Sequence, residues 1–250
     1  MVCREIVVDD AEGLVLAAAA GVDRIELCSA LSVGALTPSP GLMRMAAGCG
    51  VPVVAMIRPR PGDFLYSADE LAVMLADIAA VRAAGLAGIA IGVTDATGRL
   101  DREAMARQIE AAGPLEVTIH RAFDVTPDQG QALEDALALG ALRIMSAGHA
   151  AAAMEGVARL RALVQAAAGR VQIMAGGGVT AENAAALMAA GVDALHASCT
   201  ALRPVGGPLG PLRIAADRMV TDAGAIAALR AVMRQRGDAG AVCPRTPEDI

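Results

Sequence analysis

The chain is expected to fold as a (β/α)8 barrel, and three observations predict it. Short aliphatic segments alternate eight times with longer Ala-rich helical stretches. The junction from helix through Gly into strand recurs: AAAGVDRI at 18–25 returns as MAAGVDAL at 188–195, with RAAGLAGI at 82–89 a looser copy. Finally, 250 residues accommodate eight strand–helix units in one domain. A doubly wound open sheet is the alternative architecture.

The strands are placed near residues 3–8, 23–28, 51–57, 88–93, 115–119, 142–145, 171–175 and 193–196. Each is followed by a helical stretch, such as SADELAVMLADIAAVRAAG after the third, DREAMARQIEAAG after the fourth and TAENAAALMAAG after the seventh. Ser67, Asp101 and Thr180 stand where an N-cap oxygen would satisfy the first free amides, and a Gly closes each of these stretches in the C′ position that favours a left-handed residue. Residues 203–217 read as a loop before a last helix near 222–236, and 237–250 as a mobile tail, so one barrel domain spans 1–250 with its core in about 1–236.

Composition narrows the function. The chain is 55% hydrophobic, largely through alanine, but no stretch approaches a membrane span free of charge and turn residues. A net charge of -6 with interspersed signs and no basic run opposes nucleic-acid or anionic-membrane binding and leaves small molecules as the expected ligands. MVCREIVVDD carries no secretory signal pattern, so a soluble protein of the cytoplasm is expected. Five widely spaced cysteines without a CxxC pair oppose a disulfide framework and a structural zinc site, and their thiols are expected to be reduced.

Strand parity then locates charge. In DRIELC, Ile25 and Leu27 form one face and Arg24, Glu26 and Cys28 the other; in LEVTIH, Glu116, Thr118 and His120 oppose Leu115, Val117 and Ile119. Parallel strands covered by helices are normally apolar on both faces. With the aliphatic faces against the helices, Glu5, Arg24, Glu26, Arg58, Glu116 and His120 point into the barrel, where they must pair with one another or line a wet cleft. An ion-paired interior without chemistry is the competing reading.

Barrel sites form from loops after the strand C-termini, and the segments IRPRPGDF, GVTDATG, HRAFD, SAGH, AGGGV and HASC all fall there. The chain's three aromatic rings, Phe64, Tyr66 and Phe123, lie in two of these regions, which suggests a site rather than core. His120 is the leading acid, base or ligand candidate, with Glu5, Glu26, Arg58 and Asp124 as further catalytic candidates. Arg58 and Arg60 suit a bidentate anion clamp, or else serve only as salt-bridge partners of Asp63 and the interior glutamates. Gly176, Gly177 and Gly178, with Ser198 after the eighth strand, could cradle a phosphate or carboxylate, or form a tight turn and nothing more.

Taken together, DRIELC, GALTPS, IRPRPGDF, HRAFD, AGGGV and HAS resemble, across nearly the whole chain, the copper homeostasis protein CutC family. The matching positions are Glu5, Glu26, Cys28, Arg58, Arg60, Asp63, His120, Arg121, Asp124 and His196. The resemblance implies a TIM-type barrel, copper as the bound ion, cytoplasmic copper tolerance and a homodimer or larger homo-oligomer. Cys28, His120, His196 and Cys199 are the candidate copper ligands at the expected mouth; a thiol common after the family's first strand is absent, since EIVV stands there. The twelve Met residues read as core filler. The alternative function is an isomerase, aldolase or lyase acting on a small anionic or phosphorylated metabolite, with no organic cofactor indicated.

Overall fold

A computed structural model describes residues 2–204 and 217–235. Eight parallel strands, β1 (Cys3–Val8), β2 (Arg24–Leu27), β3 (Val53–Met56), β4 (Gly88–Ile91), β5 (Glu116–Ile119), β6 (Arg143–Ser146), β7 (Gln172–Gly176) and β8 (Ala194–Ala197), pair in sequence order into a closed barrel. β1 pairs with both β2 and β8, which excludes the open sheet. Seven helices alternate with the strands: α1 (Ala11–Ala19), α2 (Pro40–Ala46), α3 (Ala68–Ala84), α4 (Arg102–Ala112), α5 (Gln129–Ala138), α6 (Val157–Ala167) and α7 (Ala181–Ala189). α8 (Ala223–Gln235) follows β8 and the short hairpin described below.

Local chemistry sets these boundaries. The Ser67 hydroxyl accepts from the Glu70 amide while the Glu70 carboxylate accepts from the Ser67 amide, so α3 begins in a full capping box. Asp101 accepts from the Ala104 amide, and the Thr180 amide donates to Asn183, fixing the starts of α4 and α7. Gly85 ends α3 at φ 74°, a left-handed value that an Ala would meet with strain.

Ile25, Leu27, Val117 and Ile119 pack outward into the main hydrophobic cluster with the helices. The opposite parity fills the barrel: Val7, Val54, Met56 and Ala90 form one inner cluster and Met145, Met174 and Ala194 another. Among them Arg24 pairs with Glu5 and the Arg143 guanidinium lies 3.0 Å from Glu116, so the buried charges here are compensated. That pairing meets the parity expectation for Glu5, Arg24 and Glu116, while Arg143 was not among the residues expected to face inward.

Three expectations need correction. Residues 203–217 are not one loop: Arg203 and Pro204 belong to β9 (Thr200–Pro204), and Asp217 opens β10 (Asp217–Thr221), its antiparallel partner. Arg203 and Arg218 turn this hairpin toward the start of α1, each pairing with Glu12. Second, Phe123 and Tyr66 are core residues, since both are buried in the main hydrophobic cluster; of the three rings Phe64 lines the cavity described below. Third, Cys3 is disulfide-bonded, whereas Cys28, Cys49 and Cys199 carry free thiols. The expected tail at 237–250 lies outside the described residues.

Candidate functional site

At the C-terminal ends of the strands a cavity of about 230 Å³ opens between the loops. Its polar wall is built from Glu26, Arg58, His120, Arg121, His196 and Ser198; Met56, Phe64 and Met145 supply much of the apolar wall. Few polar groups in an apolar cleft orient a small ligand, and the volume suits a metabolite rather than a polymer.

Glu5, Glu26 and His196 meet at the barrel floor. Glu5 sits in register with Arg24 on one side and His196 on the other. Its carboxylate accepts from Arg24 and contacts His196 Nδ1 at 2.7 Å. His196 Nε2 lies 3.8 Å from a Glu26 oxygen, and the other, Oε1, is buried without a hydrogen-bond partner. Burial alone would raise the Glu5 pKa, but the Arg24 charge and His196 hold it well below the usual carboxylate range. Burial pushes Glu26 up to about 7, helped by the Glu5 charge and opposed by His196. Burial works against protonation of His196, yet the two glutamates raise its pKa.

His120 closes the opposite wall. Its Nδ1 accepts the Ala122 amide at 3.1 Å, its ring meets Phe64 at 5.0 Å between centroids, and its Nε2 is buried without a partner. Burial, then the Arg58 charge, drive its pKa down to about 3, so the imidazole is neutral. Gly92 makes room for it: a Cβ there would overlap the ring and come within 2.6 Å of the Ala122 methyl.

Arg58 is buried at the cavity wall, where it donates to the carbonyls of Val33, Gly34, Ala35 and Gly62. Among the described residues no carboxylate lies within ion-pair distance of it, and its Nε is unpartnered. The glycine loop lies across the mouth. Gly177 and Gly178 adopt φ of 101° and 68°, and the amides of Gly177, Gly178 and Val179 reach no acceptor among the described residues. Arg121 lies against this loop, since a Cβ on Gly177 would stand 3.0 Å from its guanidinium.

Other candidates sit elsewhere. Gly176 is buried against Met145 and does not line the cavity. Arg60 pairs with Asp63 and Glu70 on the outer surface, and Asp124 is bound to Arg121, Ser146 and the amides of Ala147 and His149. Cys28 is buried beside the Val8 carbonyl, and burial pushes its thiol far above the usual range. Cys199 is pushed up to about 11 by burial and then Asp222. Neither cysteine lines the cavity. Among the described residues the grouping with metal-holding spacing is Glu5, Glu26 and His196, without sulfur.

Sequence reading did not assign Arg121 to the anion site, although its place in HRAFD beside His120 was the available signal. The Leu31–Ala35 wall gave none, because its apolar residues and carbonyls carry no charge pattern.

Opposing shifts give a two-sided pH profile. Glu26, raised in the fold, contributes stability that is complete below its unfolded value of 4.5 and lost as pH rises through about 7. His120, depressed in the fold, contributes stability present above 6.5 and lost as pH falls toward about 3. Glu26→Gln should therefore remove the decline toward neutral pH, leaving the variant more stable than the parent at pH 8 by on the order of 1 kcal/mol, measured by urea denaturation.

Fold and site together define a (β/α)8 barrel protein with a largely apolar cavity, edged by a few polar groups, at the C-terminal mouth. The model of the CutC family matches residues 2–201, and the chain belongs to that family. The family protein CutC of Sinorhizobium medicae (strain WSM419) is 47% identical over 232 residues, covering 92% of this chain and 95% of the relative. The crystal structure of CutC from Streptococcus agalactiae, provisionally described as a copper homeostasis protein, superposes with a TM-score of 0.76 at 34% identity, covering 79% of this chain and 99% of that one. An aldolase, QR15, shares the fold alone, at TM-score 0.60 and 16% identity, over 78% of this chain and 89% of its own.

Proposed function

We propose that the chain is an enzyme acting on a small anionic metabolite, of the isomerase, aldolase or lyase kind, held in the cavity at the barrel mouth. The observation that carries this reading is Arg58: a buried guanidinium facing the cavity, solvated by neutral carbonyls but with no described carboxylate to balance it. A buried charge is costly unless paired. Arg24 is balanced by Glu5, Arg121 by Asp124, and Glu26 with His196 can share one proton without net charge. The wall is thus left one positive charge in excess, which an anionic ligand would neutralise. The free amides of the glycine loop beside Arg121 supply donors for a phosphate or carboxylate.

Isothermal titration with inorganic phosphate tests this directly. Saturable binding should weaken about 10- to 100-fold in Arg58→Met, the loss of a charge-assisted hydrogen bond, and also fall in Arg121→Met. Absence of a saturable site in the parent protein overturns the reading.

Copper is the ion that the family resemblance implies. Cu(I) prefers thiolate or thioether ligands, but Cys28 and Cys199 are protonated, enclosed and apart from the cavity. The thiols therefore offer no Cu(I) site at the mouth, where the soft donors are the Met56 and Met145 thioethers of the apolar wall, and anaerobic Cu(I) titration of the reduced protein is expected to give no tight one-to-one thiolate site. A single domain over 1–250, action in the cytoplasm and assembly as a homodimer or larger homo-oligomer complete the proposal. Among the described residues, no helix is long and apolar enough to cross a membrane.

A further inference from the structure

The two cavity histidines have opposite hydrogen-bonding faces. His120 Nδ1 accepts the Ala122 amide, so in the neutral ring the proton must sit on Nε2, the buried and unpartnered nitrogen of a ring that lines the cavity. This histidine is a donor and has no lone pair to offer a ligand. His196 is reversed: Nδ1–H donates to the Glu5 carboxylate at 2.7 Å, which leaves the Nε2 lone pair facing Glu26 at 3.8 Å, outside direct hydrogen-bond reach. Both carboxylate oxygens of Glu5 are occupied, by Arg24 and by His196. Glu26 keeps one oxygen free and buried. Among these groups, then, one donor without basic capacity lines the cavity with one carboxyl able to take or give a proton.

Resting on the proposed anion-binding function, we propose that the cavity enolises a small α-hydroxycarbonyl compound with an anionic end, with Glu26 moving the carbon-bound proton, His120 Nε2–H at the carbonyl oxygen and Arg58, Arg121 and the glycine loop around the anion. In the step, the C–H proton passes to the Glu26 carboxylate and the C–H electron pair forms the C=C bond. The carbonyl π pair moves onto oxygen, which accepts a hydrogen bond from His120 Nε2–H. Return of the proton from Glu26 to the same face of that carbon regenerates the starting compound. Return to the neighbouring carbon, with a proton passed between the two oxygens, interconverts aldehyde and ketone. No oxidant or co-reactant is consumed. A neutral imidazole opposite a carboxyl base is a recurring solution to this chemistry, because the oxyanion meets a donor whose own proton is not given up. Glu5 is a positioning residue, fixing the His196 tautomer.

Two measurements on the full chain decide it. Nitrogen-15 NMR at pH 7 should show His120 as a neutral ring protonated at Nε2; an Nδ1–H tautomer or an imidazolium overturns the inference. Phosphoglycolate, a mimic of the enediolate, should bind at least about 100-fold more tightly than inorganic phosphate, as expected of a transition-state analogue. That preference should disappear in Glu26→Gln while phosphate binding persists. Phosphate binding without a gain for phosphoglycolate overturns enolisation and leaves the anion site standing, and binding of neither overturns both. A phosphoglycolate preference that survives Glu26→Gln removes Glu26 from its assigned role and overturns the proposal.

Discussion

Replacing Arg24 with Met should destabilise the protein by about 3–5 kcal/mol, the range for removing one partner of a buried ion pair. Arg24 and Glu5 are each about 1% exposed, so the orphaned carboxylate has no route to water. His196 remains as a partner for one Glu5 oxygen, but the oxygen that accepted from Arg24 loses its donor. Urea denaturation at pH 7 measures the effect, and an unchanged m-value identifies it as lost stability rather than altered compactness. The double variant Arg24→Met with Glu5→Gln should recover part of the loss, because no net charge then stays buried. Equal stability of the single variant and the parent would mean that Glu5 is protonated at neutral pH, contrary to its depressed pKa.

Gly92→Ala is the second large effect. The added methyl would overlap the His120 ring, a crowding relieved only by moving the ring into the cavity or shifting β4 against β5. Overpacking of a filled interior costs about 1–3 kcal/mol. Displacing the ring also breaks its bond from the Ala122 amide, and with it the constraint that places the proton on Nε2. Lower stability should therefore accompany a changed His120 nitrogen-15 spectrum and weaker phosphate binding, since Phe64 packs on that ring and Arg58 lies over Phe64 at 5.3 Å. A variant with unaltered spectrum and stability would show that β4 yields at no cost.

Most of the barrel was legible because its signals are local. Strand ends fell within about two residues of expectation where Gly or a capping Ser, Thr or Asp interrupts the aliphatic pattern, and the parity of Arg24, Glu26, Glu116 and His120 revealed which face turns inward. The hairpin was hidden because Pro204 and the glycines beyond it carry a loop composition, while its pairing with β10 depends on residues beyond the turn. Adjacency in the chain also misdirected the site reading. Arg60 follows Arg58 by two residues, but its guanidinium is captured by Glu70 from the capping box of α3; Asp124 is captured by amides after β6. Conversely, the Glu5–His196 contact joins residues 191 apart, and no local pattern announces it.

That contact has a consequence for the order of assembly. β1 and β8 are the first and last staves of the barrel, and Glu5 bonds across their seam while holding Arg24 on its other side. Until β8 arrives, Glu5 and Arg24 stand at an open edge, hydrated and free to part. During synthesis the chain emerges from its N-terminus, so the contact between Glu5 and His196 cannot form before nearly 200 residues have been made. Closure of the ring therefore completes this buried network, and an N-terminal fragment lacking β8, however well its helices pack, would leave Glu5 without His196.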